Sequence, residues 1–262
     1  HNNPRSTEAH EHLQFILSIG SPRWFDEPVE IAKLELSAHT LPDKYYFLSP
    51  VDKRKWEQNI EGVIAGGTAR PAVMERVSIG VQKEKDRAAK LRKIGVRIRE
   101  DISRQFKAAN PGKKLSEVDV KGAWNSILHT QLDRFGEGLI IRKHVYRAGR
   151  RSMALRRWAN ERERCPYFTA WAKGLLYLQF YAARYPNLKI DEHGQADIEH
   201  LMCLEHADVI VSEETTFLRQ AFLDLYEQRG KRYWTLNELE QRASSETQQL
   251  GLEHNVVRYP HN

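Results

Sequence analysis

Pro166 to Arg184 sets the strongest limit on this chain. Phe168, Trp171, Leu175, Leu176, Leu178, Phe180 and Tyr181 recur there at helical spacing, and the segment is apolar almost all round. A helix of that kind has no face to give to water, so it must be buried. The remaining elements therefore have to wrap it. Tyr185-Pro186-Asn187 closes the segment, because proline disfavours a continuing helix.

Most of the other segments also carry helical periodicity. Glu8 to Ile19 has a stripe of Leu13, Ile16 and Leu17. Pro28 stands at a first helical position, followed by Ile31, Leu34, Glu35 and Ala38. Lys44 to Leu48, between Pro42 and Pro50, reads as a strand or an irregular connection. From Val51 to Asn110 the pattern is helical and highly charged, interrupted at Gly66-Gly67 and Pro71. Asn110-Pro111-Gly112 is a break, and a helix is predicted over Ser116 to Phe135. With 262 residues, the chain suits one large domain or an ordinary domain with an insertion.

The pattern changes near the C-terminal end. Asp197 to His206 reads as a short helix. Val209-Ile210-Val211 is a β-branched run of the kind found in buried strands. Phe217 to Gln228 reads as a helix ending at Gly230, and Arg232 to Thr235 as a second short strand. Helix, strand, helix, strand is the order of an α/β layer.

Carboxylates flank the first of these strands: Asp197 before it, Asp208 at its start, and Glu213 and Glu214 just past its end. In open α/β sheets ligands sit outside the carboxyl ends of strands. Carboxylates gathered there repel one another unless a cation offsets their charge, and hard ions such as Mg²⁺ or Mn²⁺ prefer oxygen ligands. Taken singly, an acid at a helix start is more often a cap or a dipole partner.

This stretch resembles the end of a PIN-like nuclease domain. In that family an acid opens a helix, a hydrophobic strand follows, and a small hydroxyl residue, a variable residue and a last acid come next, with an aromatic three positions later. Here those positions are Asp197, Val209 to Val211, Ser212-Glu213-Glu214 and Phe217, with Asp208 before the strand. Pro28-Val-Glu-Ile-Ala-Lys-Leu-Glu35 resembles the helix bearing a further acid, with Glu35 the better match and Glu30 in reserve. The last acid departs from the usual Asp. The family's opening strand, which ends in an Asp, is not seen: either it precedes His1, or the acidic site is incomplete.

The resemblance implies an α/β, three-layer PIN-like fold with a small parallel sheet, helix-dominated through a large insertion. It divides the chain into 1–50, a basic helical insertion 51–164, a C-terminal part 165–250 and a tail 251–262. It also implies Mg²⁺ or Mn²⁺ held by Asp197, Asp208 and Glu214 with Glu35 assisting, and hydrolysis of phosphodiester bonds, RNA more than DNA. The alternative is a catalytically inactive module that binds nucleic acid or protein. A protein inhibitor, as in toxin–antitoxin pairs, is a further partner common in the family.

Charge is compatible with a polyanionic partner: 41 Lys and Arg against 35 Asp and Glu give a net +6. The excess concentrates in Arg142 to Arg164. There Arg147, Arg150, Arg151, Arg156 and Arg157, with Tyr146 and Trp158 among them, form either a phosphate-tracking surface or a solvated helix face. His200, Cys203 and His206 do not supply the two separated ligand pairs of structural zinc. Gly66-Gly67-Thr68 lacks the spacing and lysine of a phosphate loop. Two distant cysteines, no signal-like opening segment and no membrane-length apolar run point to the cytoplasm.

Overall fold

The computed structural model describes residues 11, 13, 14, 17, 23–37, 42, 45–65, 79, 82, 86, 95–142, 148–186 and 194–242. In chain order the helices are α1 (Pro28–Ser37), α2 (Pro50–Ile64), α3 (residues 95–109), α4 (Val120–Arg142), α5 (Ala148–Asn160), α6 (Pro166–Arg184), α7 (Gly194–Met202), α8 (Phe217–Leu225) and α9 (residues 236–242). The strands are β1 (Val209–Val211) and β2 (Arg232–Trp234). The protein is helix-dominated with a small parallel pair, an α/β arrangement. None of the described helices is long and apolar enough to cross a membrane.

The all-round apolar segment is the central helix, as its composition demands. α6 packs against α1, α4 and α7, and buries Tyr167, Phe168, Trp171, Leu175, Leu176, Tyr177 and Phe180. One apolar core joins these to Ile31 and Leu36 of α1, Trp124, Ile127 and Ile140 of α4, Trp158 of α5 and Phe222 of α8. The sequence boundaries at 50 and 164 therefore do not divide the core. α4 and α5, assigned to the insertion, supply part of it.

Local chemistry fixes the ends of α6. Its first turn begins at Pro166, and the Cys165 side chain makes no capping bond. The Glu35 carboxylate does so instead, accepting from Tyr167 N at 3.1 Å and Phe168 N at 2.9 Å. Those are orphan donors of a helix start, and the two carboxyl oxygens satisfy one each. At the other end, the buried Arg184 guanidinium donates to the carbonyls of Leu115 (2.7 Å), Val118 (3.0 Å) and Ser116 (3.2 Å). It thereby ties the turn before α4 to the core.

The helix predicted over Ser116 to Phe135 shifts at both ends. α4 begins at Val120 rather than Ser116, because Leu115–Glu117 forms a 3₁₀ turn and the Asp119 carboxylate accepts from Gly122 N at 2.6 Å. It continues past Phe135 to Arg142, and within that extension Gly136 lies under the Trp158 ring and gives α5 room to approach. Lys44 itself lies outside the described residues. Beyond it, Phe47 makes an isolated antiparallel bridge to Phe25 rather than a strand. The Gly66 to Val73 region, like most of 66–94, also lies outside the described residues.

Gly174 marks the α6–α7 crossing. A Cβ there would overlap Ile198 Cγ2, with Ile198 Cδ1 only 3.2 Å away. Alanine favours a helix by about 1 kcal/mol over glycine. Overpacking a stiff β-branched neighbour costs about 1–3 kcal/mol. Gly174→Ala is therefore expected to lower stability by up to roughly 2 kcal/mol, its helix preference offset by the overlap, read as a shift in the urea midpoint. A raised midpoint would contradict the close crossing.

Candidate functional site at the carboxyl end of a parallel strand pair

β1 and β2 run parallel in the register Val209↔Arg232, Ile210↔Tyr233 and Val211↔Trp234. The connection through α8 makes a βαβ unit, since parallel neighbours cannot be joined by a tight hairpin. Asp208 O accepts from Arg232 N at 2.9 Å at one end, and Ser212 N donates to Trp234 O at 3.0 Å at the other.

The turn after β1 is built from its own polar groups. Ser212 Oγ accepts from Glu214 N at 3.1 Å. The Glu214 carboxylate then folds onto the start of α8. Oε2 accepts from Leu218 N (2.7 Å) and Arg219 N (3.3 Å), and Oε1 from Thr216 N (2.8 Å) and the Thr216 hydroxyl. Burial raises the Glu214 carboxyl, but those donors together hold it below its ordinary value. Glu213 turns the other way and accepts from Leu236 N at 2.6 Å, joining this turn to α9.

Tyr233 of β2 reports which acids share the site. Its hydroxyl donates to Glu214 O at 2.5 Å. The phenol is pushed up by burial, with Glu214 and Asp197 adding to the effect and Ser212 and Arg219 opposing it. Asp197, in the first turn of α7, and Glu214 thus act on one hydroxyl at the carboxyl end of the strands.

Asp208 does not join them. Its side chain is 79% exposed and pairs with Lys231 Nζ at 3.0 Å. Ser212 lies four residues further along the chain, roughly 13 Å away at the usual strand rise. Oxygens sharing a cation with 2.0–2.6 Å bonds lie within about 5 Å of each other. The expectation that Asp208 is a metal ligand beside Glu214 is therefore corrected by strand geometry.

Glu35 is also elsewhere. It is 1% exposed, inside the core at the start of α6. Burial raises its carboxyl to about 8 against the lowering effect of the Phe168 and Tyr167 N–H groups. Its structural task as a cap contradicts a place among the catalytic acids.

The basic segment divides in the same way. Arg147 lies outside the described residues, as does the side chain of Arg150. Arg151 is half-buried and Arg156 exposed. Arg157 is only 6% exposed and lies 3.6 Å from Glu161, so its expected role on a phosphate-binding surface is corrected: it faces the core. Trp158 is fully buried, its indole N–H donating to Asp133 O at 3.1 Å, and it packs rather than offering a face to bases. His206 stacks on Tyr46 at 3.9 Å, and burial pushes the Cys203 thiol up to about 11.

Among the described residues no three His, Cys, Asp or Glu side chains are grouped as a closed metal cluster. A hydrated Mg²⁺ or Mn²⁺ asks for less: one or two carboxylates, with waters and substrate oxygens completing the shell. Asp197 and Glu214 are the two carboxylates nearest this end of the strands that such a shell could draw on. Glu214, already accepting four bonds, fits an outer position. Ser212, Thr216, Arg219 and Tyr233 complete the site. Ser212 belongs to the local Ser212-Glu213-Glu214 motif and Thr216 and Arg219 bond Glu214 within five residues, whereas Tyr233 is brought in by the parallel register alone. Comparison of the chain with models of known protein families, with curated proteins and with solved structures finds no match.

Proposed function

We propose that this chain is a PIN-like, Mg²⁺- or Mn²⁺-dependent ribonuclease working at the Asp197–Glu214 end of the parallel strands. The observation that carries the reading is the placing of Glu214 in the turn just past β1, at the carboxyl end of a βαβ unit, with its carboxylate and that of Asp197 both within electrostatic reach of the Tyr233 hydroxyl. Asp197 holds the ion. Glu214 keeps the turn in place and adds negative charge behind it. A bound Mg²⁺ or Mn²⁺ supplies Lewis-acid stabilisation of the charge that builds on a phosphodiester during hydrolysis. Tyr233 and Ser212 hold the shape of the turn. Arg151 and Arg156, with the net +6, draw in the phosphate backbone. A cytoplasmic setting and a protein inhibitor belong to the same proposal.

The test is cleavage of a labelled single-stranded RNA by the full chain with Mn²⁺ and with EDTA. Cleavage that requires Mn²⁺ supports the reading. Binding with no cleavage under either condition supports a second one, a non-catalytic module on the same scaffold. The four bonds already taken by Glu214 favour that alternative.

Asp208→Asn separates the revised site from the expected one. With Asp208 at the far end of β1, cleavage is expected to match the unsubstituted chain. Loss of the exposed pair with Lys231 should change stability by no more than about 1 kcal/mol. A large loss of cleavage would return Asp208 to the site.

A further inference from the structure

A row of aromatic rings begins beside the acid pair. Tyr177, Tyr181 and Tyr185 recur every four residues along the end of α6, so they share one side of it. Tyr177 is buried, and its hydroxyl donates to Asp224 Oδ2 at 2.5 Å. Tyr181 and Tyr185 are half-buried, with ring centroids 4.9 Å apart. Phe217, three residues after Glu214 and also half-buried, meets Tyr181 edge-on at 5.2 Å.

The row is placed and held. Burial pushes the Tyr181 phenol up, with Tyr185, Glu214 and Asp224 adding to the effect, so this ring lies within the field of the acid site. The Arg184 guanidinium sits 5.5 Å over the Tyr185 ring and is itself fixed by three carbonyls. Core packing needs only apolar bulk. Tyr181 and Phe217 also pack against the core, but all three rings keep part of their surface exposed, and aromatic side chains fixed in this way bind at small entropic cost.

We propose that Tyr181, with Tyr185 and Phe217, is a stacking platform for the bases of a single-stranded nucleic acid. It seats a nucleotide next to the phosphodiester that a cation at Asp197 and Glu214 would hold during cleavage, and so rests on the ribonuclease reading for that neighbour. Every base has a π-face, so the platform is tolerant of sequence. A duplex keeps its bases stacked inside and presents none to it.

The experiment is fluorescence anisotropy of a labelled 12-nucleotide oligoadenylate, and of a duplex of the same length, with the full chain in EDTA. Tyr181→Leu keeps apolar bulk and removes the flat face. It is expected to weaken oligoadenylate binding by roughly 5- to 100-fold and to leave duplex binding unchanged. Tyr181→Phe and Tyr181→Trp are expected to retain binding, which also covers the case of a leucine variant that does not fold. No oligoadenylate binding by the unsubstituted chain would overturn the platform. So would unaltered binding by a folded Tyr181→Leu, or equal losses for single strand and duplex. Because EDTA prevents metal-dependent cleavage, a failed ribonuclease reading would show as absent Mn²⁺ cleavage with the Tyr181 effect intact.

Discussion

Asp197→Asn is expected to lower Mn²⁺-dependent RNA cleavage by roughly 100-fold or more, with the fold retained. Asparagine keeps the size and hydrogen-bonding reach of aspartate and removes the charge that holds a cation. Asp197 sits in the first turn of α7, where a negative charge interacts favourably with the helix dipole. That contribution is about 0.3–1 kcal/mol, so stability should change little. Initial rates at several Mn²⁺ concentrations, with a thermal melt beside them, separate the two effects. A rate equal to that of the unsubstituted chain would remove Asp197 from the reaction.

Glu35→Ala is expected to do the opposite, costing about 3 kcal/mol of stability through a residue with no place in the proposed reaction. The Tyr167 and Phe168 N–H groups would be left in the core without their acceptor. Each unpaired buried donor costs about 1–3 kcal/mol, partly relieved if water enters. A pH dependence accompanies it. Burial raises the Glu35 carboxyl from 4.5 to about 8. Between those values the folded state holds a proton that the unfolded chain has released. Stability from this group is then complete below 4.5 and is lost as pH rises through about 8. Urea midpoints at intervals across that window should fall with pH in the unsubstituted chain. Glu35→Gln, which has no proton to lose, should lack that component of the slope. Identical slopes in the two proteins would contradict the buried, protonated carboxyl.

These two acids mark where the sequence is informative and where it stops. The burial of α6 was legible because an all-round apolar segment needs no knowledge of its partners. The β1 and β2 strands were legible because Val209 to Val211 and Arg232 to Thr235 follow helical segments with turn residues between them. Asp197 and Glu214 stood out through their order around β1. Glu35 did not reveal its task, because the N–H groups it caps are 132 and 133 residues away. Its spacing in α1 says only that it is half-buried. Asp208 was grouped with Glu214 by nearness in sequence, although an extended strand carries its two ends apart. Arg157 looked like its neighbour Arg156, but the helical phase set by Ala154 and Trp158 turns it inward. The turn from Ser212 to Thr216 is local, but its contact with Tyr233 depends on parallel register, which short strands do not encode locally.

The central claim is that the Asp197 end of the parallel pair holds a divalent cation. Direct titration of Mn²⁺ into the full chain, followed by calorimetry or electron paramagnetic resonance, tests it without requiring turnover. The account predicts one saturable Mn²⁺ site per chain, weakened at least about tenfold in Asp197→Asn and unaffected in Asp208→Asn. Absence of a saturable site, or equal Mn²⁺ affinity in the unsubstituted chain and Asp197→Asn, would contradict it.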